Sequence, residues 1–239
     1  MNGAPRLSVV VPFYNEADNV EPLHRELDAV LADVPGGVEF VYVDDGSRDE
    51  TRERLQALGK RDPRIRTVRL EPNSGQSAAL EAGFRAARGE WTVTLDGDLQ
   101  NDPADIPRLL ALTEQFDVVN GVRVDRRDTW VRRVSSRVGN GFRNWVTRES
   151  VTDVGCSLRV MRTAYCKRVK LFRGMHRFLP TLLRMEGASV TELPVSHRPR
   201  RHGTSKYGIG NRALVGFMDV LAVRWMQSRV RRYRAVEGE

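Results

Sequence analysis

Two carboxylates one residue apart, Asp96 and Asp98, follow the apolar-rich segment WTVTL in the stretch TLDGDLQND. Such a pair can offer hard oxygen ligands to one divalent cation, and Mg²⁺ or Mn²⁺ is usually held by a few carboxylates together with substrate phosphates. The spacing is therefore compatible with a metal and diphosphate site. The alternative is an Asp-rich turn, in which Asp102 caps a helix that begins near Pro103.

Two further polar clusters follow apolar segments earlier in the chain. In VDDGSRDET, Asp44 and Asp45 could accept hydrogen bonds from a nucleotide base or ribose, or they could only build a turn and a helix cap. In VVVPFYNE, Tyr14 could stack on a base and Glu16 could accept ribose hydroxyls. The alternative is that Pro12 only stops a strand and Tyr14 only packs.

The elements that must position these clusters alternate between strands and helices. Apolar runs predict strands at 7–14, 38–47, 65–71 and 90–98, and helical spacing predicts helices at 15–34, opened by Asn15, and at 49–61 and 74–89. This alternation favours a mainly parallel sheet covered on both faces. Because ligands bind beyond the carboxyl ends of such strands, we expect one pocket to collect all three clusters.

After residue 122 the pattern loosens. We predict an amphipathic helix at 130–147, a turn and short strand in DVGCSLRVMRT, a helix at 174–187, a strand at 190–198, a basic loop at 199–208 and a final helix from about 209 to 232. The chain thus divides into a regular α/β half at 1–122 that holds the three polar clusters, a less regular half at 123–208, and a C-terminal amphipathic helix and basic tail at 209–239.

Charge is distributed unevenly along the 239 residues. Residues 1–122 hold 13 Lys and Arg against 22 Asp and Glu, whereas residues 123–239 hold 26 against 9, within a net charge of +8. The basic half is therefore expected to meet an anion: nucleic acid, an anionic membrane surface or a phosphorylated substrate. Two cysteines, no signal-peptide pattern and no window of about 20 apolar residues predict a cytoplasmic protein without a transmembrane helix.

Taken together, the clusters resemble the family 2 glycosyltransferases with a GT-A fold, and among them the polyprenyl-phosphate glycosyltransferases such as dolichyl-phosphate mannose synthases and undecaprenyl-phosphate sugar transferases. The resemblance covers nearly the whole chain in the family's order. Its segments are VVVPFYNE (9–16), VDDGSRDET (43–51), NSGQSAALEAGF (73–84), LDGDLQNDP (95–103), DVGCSLR (153–159) and HGTSKYG (202–208).

The resemblance implies roles residue by residue. The residues expected to bind the nucleotide are Pro12, Tyr14, Glu16, Asp44, Asp45 and Asp96. Those expected to bind Mg²⁺ or Mn²⁺ are Asp96, Asp98 and Gln100. The residues expected to bind the acceptor phosphate are Arg123, Arg132, Ser136, Arg201, Lys206 and Tyr207. If the motif is shifted along the Arg-rich stretch 123–137, Arg126, Arg127 and Arg133 are the alternatives. The catalytic residues are expected to be Asp98, Arg132 and Lys206.

The implied reaction moves a sugar from a nucleoside-diphosphate sugar to a polyprenyl phosphate. Because an acceptor phosphate is already an anion near neutral pH, its attack on the anomeric carbon needs no strong general base, and a single in-line displacement inverts that centre. The final helix, with Trp225 and neighbouring arginines, could lie on an anionic membrane as a peripheral contact at the cytoplasmic face. The alternative is that it packs on the core or in a homodimer.

Two other functions compete with this one. A saccharide hydroxyl could be the acceptor, which would require a general base from the second half, where the carboxylates are Asp125, Asp128, Glu149, Asp153, Glu186, Glu192 and Asp219. A nucleic-acid-binding protein would explain the basic half, but it leaves the acidic clusters unexplained and no nucleic-acid-binding motif is recognisable. We therefore expect no nucleic-acid partner.

Overall fold

A computed structural model describes residues 4–124, 130–199 and 212–230, with the backbone alone at 130–138 and 212–214. Within these residues seven strands form one sheet in the order β3-β2-β1-β4-β6-β5-β7. Strand β6 runs antiparallel to β4 and β5, and the other neighbouring strands are parallel. The strands are β1 Leu7–Phe13, β2 Val38–Asp44, β3 Ile65–Arg69, β4 Trp91–Thr94, β5 Val118–Arg123, β6 Arg159–Arg162 and β7 Val190–Val195.

Helices cover both faces of the sheet. They are α1 Ala17–Leu31, α2 Thr51–Arg61, α3 Gln76–Ala86, α4 Ile106–Leu110, α5 Trp130–Thr147, α6 Thr163–Cys166, α7 Leu179–Met185 and α8 Arg212–Arg229. The prediction of a mainly parallel α/β sheet is confirmed. The helix predicted at 174–187 is instead a short 3-10 turn followed by α7, which begins next to Pro180, a residue suited to a first helical turn. Strand β5 was missed.

The core lies on both sides of the central strand β1. Val9 and Val11 face one apolar cluster, which also contains Leu23 of α1 and Leu55 of α2. The intervening Val10 faces a second cluster, built with α3, α7 and α8. Because successive side chains of a strand point to opposite faces, the unbroken apolar run of β1 is what a strand buried on both faces requires.

This topology gathers the polar clusters at one edge. Strands β1, β2 and β4 are parallel neighbours, so the segments that follow Phe13, Asp44 and Thr94 all leave the same edge of the sheet. Strands β6 and β7 come from the second half of the sequence and complete the same sheet. The described helices include none with the length and hydropathy needed to span a bilayer.

Close packing of α3 on β1 and β2 generates the first prediction. A Cβ atom at Gly83 would overlap Val10 Cγ1 and lie 3.3 Å from Val43 Cγ2. We expect Gly83→Ala to lower the free energy of unfolding by about 1–3 kcal/mol, because the methyl group overpacks this contact. Urea denaturation would measure the change.

The matched control is Gly141→Ala in α5, where an added Cβ has open space within 4 Å. There the better helix propensity of alanine should raise the free energy of unfolding by up to about 1 kcal/mol. Equal stabilisation by both substitutions would show that α3 is not packed against β1 in this way.

Candidate active site

The loops after β1 and β2 are bonded to each other. Asn15 has a φ of 51°, and its backbone N–H donates to Ser47 Oγ at 3.0 Å while its side-chain oxygen accepts from the Arg48 amide at 2.8 Å. Asn15 therefore does not open α1 as predicted; the helix begins at Ala17, whose amide donates to Asp49 Oδ2. These bonds fix the loop that carries Pro12, Tyr14 and Glu16.

The three predicted nucleotide contacts in the first loop lie at this edge of the sheet. Pro12 and Tyr14 are half-buried, so each keeps an accessible surface. Glu16 is more buried; its carboxylate accepts from Asn19 Nδ2 at 2.6 Å and its amide donates to Thr51 Oγ1 at 2.9 Å. Glu16 thus helps to hold the start of α1. Contact between these residues and a nucleotide stays a prediction.

Asp44 and Asp45 are both buried but serve different neighbours. Asp44 Oδ1 accepts from the Ser47 amide at 2.9 Å, whereas its Oδ2 is buried without a hydrogen-bond partner among the described residues. A cavity of about 190 Å³ adjoins Asp44, between α2 and β3. A buried carboxylate oxygen without a donor is costly, so this atom fits a donor from a bound group.

Asp45 instead organises the loop that precedes α3. It accepts from the Asn73 side chain at 2.8 Å and from the backbone amides of Ser74 and Gly75 at 2.8 and 2.9 Å. Burial raises the pKa of Asp45, although these donors act in the opposite direction. The predicted nucleotide contact by Asp45 is not tested, but its carboxylate clearly positions the segment 73–75.

The carboxylate pair lies just beyond β4. Asp96 Oδ1 accepts from Gln76 Nε2 at 2.7 Å, and its amide donates to Asn101 Oδ1 at 3.4 Å. Burial and the nearby Asp98 carboxylate raise the pKa of Asp96 to about 6. Asp98 is 7% exposed and accepts from the Gln100 amide at 3.1 Å. Two neighbouring carboxylates, of which Asp96 has a raised pKa, fit a bound cation.

The segment after β7 is attached to this carboxylate loop. Arg198 donates from its amide to Gln100 O at 2.8 Å, and its guanidinium pairs with Asp102 and Glu26, each at 2.6 Å. Gln100 Nε2 in turn lies 3.5 Å from the Arg198 carbonyl oxygen, so this predicted metal ligand contacts the segment after β7. Asp102 also caps the turn after it by accepting from the Ala104 amide at 3.0 Å, as its alternative role predicted. These contacts hold Arg198, which precedes the basic loop, beside the carboxylate loop.

A cavity of about 710 Å³ opens between the carboxylate loop and α8. Asp96 lies on one wall, and three arginines, Arg159, Arg173 and Arg177, lie on others. Further lining residues are Asn73, Ser74, Gly75, Gln76, Ser77, Leu80, Thr94, Leu95, Val154, Gly155, Cys156, Ser157, Gly174, His176, Val215 and Asp219. The cavity is large enough for a sugar diphosphate and combines acidic and basic walls.

Arg159 is the most buried of these arginines, at 3% exposure. Its guanidinium donates to the oxygen of Asn120 at 2.8 Å and to the carbonyls of Val154 and His176 at 3.0 and 3.4 Å, all neutral acceptors. Burial lowers its pKa. Because a buried cation is costly without a negative partner, Arg159 is suited to an anion that enters the cavity.

Arg123, a predicted acceptor residue, is held rigidly by Asp153. The Nε–Oδ2 and Nη2–Oδ1 distances are 2.7 and 2.8 Å, and Asp153 is 6% exposed. Burial alone would lower the pKa of Arg123, but the two bonds to Asp153 outweigh that effect and raise it. Asp153 thus orients Arg123.

Other predicted acceptor residues lie outside what the structure describes. Arg132, Ser136 and the alternative Arg133 fall on α5 where only the backbone is described. The remaining such positions, Arg126, Arg127, Arg201, Lys206 and Tyr207, belong to ranges that are not described. The roles of all of them stay predictions.

Sequence reasoning missed several groups that line the cavity. Gln76 and Arg159 fall within motif segments, yet neither was given a role, and Arg173 and Arg177 lie in no motif. His176 also borders the cavity, with its Nδ1 2.8 Å from Ser77 Oγ. A signal for Arg159 existed in the DVGCSLR segment, whereas Arg173 and Arg177 are placed by tertiary contacts alone.

Comparison with known proteins identifies the family. The family model described as glycosyl transferase family 2 matches residues 8–170, and the chain therefore belongs to this family. It is 38% identical over 238 residues to a dodecaprenyl-phosphate galacturonate synthase from Rhizobium johnstonii, covering 97% of this chain and 69% of that relative. It is 40% identical over 205 residues to an undecaprenyl-phosphate 4-deoxy-4-formamido-L-arabinose transferase from Edwardsiella ictaluri, covering 85% and 63%.

These relatives confirm the predicted resemblance to polyprenyl-phosphate glycosyltransferases. The chain spans less than two thirds of the length of the second relative.

Among solved structures, glucosyl-3-phosphoglycerate synthase from Mycobacterium tuberculosis superposes with a TM-score of 0.66 at 18% identity, covering 95% of this chain and 81% of that one. A mannosyltransferase from Pyrobaculum calidifontis gives a TM-score of 0.59 at 20% identity, covering 95% and 65%. The GT-A fold is confirmed.

His176 generates a pH prediction. Burial, together with Arg177 and Arg159, lowers its pKa from an ordinary 6.5 to about 3. The unfolded chain binds a proton below about pH 6.5 that the folded chain refuses, so folding stability falls as the pH drops from that value towards 3. Between pH 7 and pH 5, the free energy of unfolding of the wild type should fall by about 2 kcal/mol more than that of His176→Asn, which keeps an acceptor near Ser77.

Urea denaturation of both proteins at the two pH values measures this difference. The wild type serves as its own reference at pH 7, where the imidazole is neutral in both states. An identical loss of stability in the two proteins would show that the ring is not held in its neutral form.

Proposed function

We propose that this protein transfers a sugar from a nucleoside-diphosphate sugar to a polyprenyl phosphate, with inversion at the anomeric carbon. One observation carries the proposal: the Asp96 carboxylate, next to Asp98, faces the buried Arg159 guanidinium across a single cavity at the carboxyl edge of the sheet. Such a cavity suits a reaction in which both reactants carry phosphate. The names of the two curated relatives support a polyprenyl phosphate as the acceptor.

The nucleotide is proposed to bind at the ends of β1 and β2. The free Oδ2 of Asp44 would accept a ring N–H of the base, since its other oxygen is already occupied by Ser47. Tyr14 and Pro12 would offer contact surface, and Glu16 would accept ribose hydroxyls. The diphosphate would then extend towards Asp96.

A divalent cation fits the residues at the end of β4. Asp96 and Asp98 supply hard carboxylate oxygens, and burial together with the Asp98 carboxylate raises the pKa of Asp96. The described residues contain no group of three or more His, Cys, Asp or Glu side chains able to hold a metal, so the diphosphate would complete the ligand set. Mg²⁺ or Mn²⁺ bound there would supply charge neutralisation for the departing nucleoside diphosphate. Gln100 is proposed as a further ligand.

The acceptor is proposed to enter from the basic side. Arg123, oriented by Asp153, would donate two parallel hydrogen bonds to the lipid phosphate, a geometry for which guanidinium is suited. Arg132, Ser136, Arg201, Lys206 and Tyr207 are proposed to share this task. The link between Arg198 and Gln100 supports a position for the basic loop next to the donor.

The reaction needs positioning more than proton transfer. A phosphate oxygen of the acceptor forms a bond to the anomeric carbon as the bond from that carbon to the diphosphate oxygen breaks, and the electron pair leaves with the nucleoside diphosphate. Arg159 would donate to the diphosphate and Arg132 would hold the attacking phosphate in line. Asp98, Arg132 and Lys206 are the proposed catalytic residues.

We place the reaction at the cytoplasmic face of a membrane. Cys156 and Cys166 are buried free thiols, which is typical of a reducing compartment. The proposed acceptor is a lipid, so the protein must reach a membrane surface to meet it.

Asp219 favours a second candidate function, transfer to a saccharide hydroxyl. It lines the cavity, and burial raises its pKa although Arg177 acts in the opposite direction at 3.3 Å. A partly buried carboxylate in such a position is suited to act as a general base. Attack by an acceptor phosphate would not need a general base.

The test of the function is a panel of UDP-, GDP- and dTDP-sugars with Mn²⁺ or Mg²⁺. Each donor is incubated with undecaprenyl phosphate, dolichyl phosphate or a free saccharide, and the products are identified by mass spectrometry. We expect a lipid-linked sugar from at least one donor, with turnover retained in Asp219→Asn. Nucleotide release with the saccharide alone, lost in Asp219→Asn, would establish the second candidate instead.

The metal assignment is tested with Asp98→Asn. We expect this variant to lose Mn²⁺ binding in the presence of a nucleoside diphosphate, by at least about tenfold, and to lose turnover, because one of two ligand carboxylates becomes neutral. Electron paramagnetic resonance measures free Mn²⁺ directly. Asp33→Asn, the same change at an exposed carboxylate after α1, should leave Mn²⁺ binding unchanged. Full activity of Asp98→Asn with saturating metal would exclude the assignment.

A further inference from the structure

His176 connects two parts of the lining of the cavity that contains Asp96. Its imidazole Nδ1 lies 2.8 Å from Ser77 Oγ, in the first turn of α3, and its backbone carbonyl accepts from Arg159 Nη1 at 3.4 Å. Ser77 follows Gln76, whose side chain donates to Asp96. His176 is therefore bonded on one side next to the support of the carboxylate pair and on the other side to the buried arginine.

The Ser77 hydroxyl determines which ring nitrogen of His176 carries the proton. Ser77 is 4% exposed, and its Oγ accepts from the His176 backbone N–H at 3.4 Å. Among the described residues, His176 Nδ1 is the one acceptor within hydrogen-bond distance of this hydroxyl. A buried hydroxyl donates its proton where an acceptor is in reach, so the Ser77 O–H donates to Nδ1. The proton of the neutral ring is therefore on Nε2.

The Nε2–H group is the remaining polar edge of the ring. Within the described part of the chain, Nε2 takes part in no hydrogen bond, yet it is not one of the buried polar atoms that lack a partner. His176 is half-buried and lines the cavity, so this edge is accessible there. Burial together with Arg177 and Arg159 lowers the pKa of the ring to about 3. At neutral pH the ring is thus an uncharged hydrogen-bond donor and not a general acid.

We propose that His176 donates a hydrogen bond from Nε2 to the diphosphate of the sugar donor, and that Ser77 positions the ring by holding this tautomer. The inference deepens the proposed function and rests on it for the identity of the ligand. The diphosphate is proposed to extend from Asp96 towards Arg159, and His176 is bonded beside both. A donor that is oriented before the substrate binds stabilises the charge that develops on the departing diphosphate.

The charges around His176 favour a diphosphate over a sugar hydroxyl. The charged groups that act on the ring are Arg177 and Arg159, and both are cations. Positive potential at the ring attracts an anionic ligand, whereas a neutral hydroxyl gains little from it. The other anion of the proposed reaction, the lipid phosphate, is assigned to Arg123. The diphosphate is therefore the partner that fits this donor.

The first test compares two substitutions that each keep one half of the imidazole. Glutamine can place an N–H near the position of Nε2, whereas asparagine reaches only the position of Nδ1. We expect His176→Asn to bind a nucleoside diphosphate with Mn²⁺ about tenfold more weakly than the wild type and to lower kcat by a similar factor, because a hydrogen bond to a charged group is lost. His176→Gln should stay within about threefold of the wild type in both quantities. Calorimetric titration with UDP, GDP and dTDP measures the binding.

The second test observes the tautomer in the wild type. In proton–nitrogen correlation spectra of protein with ¹⁵N-labelled histidine, the signals of His176 are those absent from His176→Gln. We expect them to show a proton on Nε2 and none on Nδ1 from about pH 8 to about pH 5. In Ser77→Ala we expect a mixture of both tautomers and a kcat about threefold to tenfold lower, with the KM of the lipid acceptor unchanged.

The outcomes separate this inference from the proposed function. A wild type that binds a nucleoside diphosphate with the expected dependence on His176, yet forms no lipid-linked sugar, would refute the proposed function and leave the inference supported. A proton on Nδ1 in the wild type, or an equal loss of nucleotide affinity in His176→Asn and His176→Gln, would overturn the inference. A change confined to the KM of the lipid acceptor would overturn it as well, because the ring would then contact the acceptor.

Discussion

The placement of Asp96 beside Asp98, largely out of water, is the constraint on which the rest of the site depends. Two carboxylates in such a setting repel each other, and the raised pKa of Asp96, about 6, expresses that cost. The fold nevertheless holds Asp96 in place, with Gln76 on its carboxylate and Asn101 on its amide. Arg159 and Arg123 act in the opposite direction on the pKa of Asp96, and a divalent cation would add positive charge at the same place.

Separate parts of the chain converge on this pair. Asp45 binds the segment 73–75 and so places Gln76 at the start of α3. Arg198 attaches the segment after β7 to the carboxylate loop through Asp102 and the Gln100 carbonyl. On the other wall, Arg159 is fixed by neutral acceptors and remains available to an anion. The acidic first half and basic second half of the sequence thus meet across one cavity.

Local patterns were sufficient to predict much of this structure. The apolar runs of β1 and β2 and the helical spacing of α5 predicted their elements, whereas the metal role of the carboxylates after β4 stays a prediction. Strand β5 was missed because its VVNGVR run is short and contains Asn120 and Gly121, which weaken a strand pattern. Asn15 was taken as a helix cap, although its bonds to the next loop give it another role.

The contacts that sequence could not reveal are those between distant segments. Arg173 and Arg177 reach the cavity only because the segment before α7 folds over α3, and no local pattern records that approach. The exposed aromatic pair Phe142 and Phe217 likewise depends on α5 meeting α8. Asp44 and Asp96 lie within motif segments, whereas Arg173 and Arg177 reach the cavity through tertiary packing alone.

In the proposed site, Asp96 and Asp98 hold a divalent cation that faces the cavity arginines through a diphosphate. A crystal of the protein grown with Mn²⁺ and a nucleoside diphosphate tests it most directly, by anomalous diffraction at the manganese absorption edge. We predict one anomalous peak within ligand distance of a carboxylate oxygen of Asp98, with the diphosphate between it and Arg159. A peak at any other carboxylate cluster, or a diphosphate bound away from Asp96 and Asp98, would contradict the account.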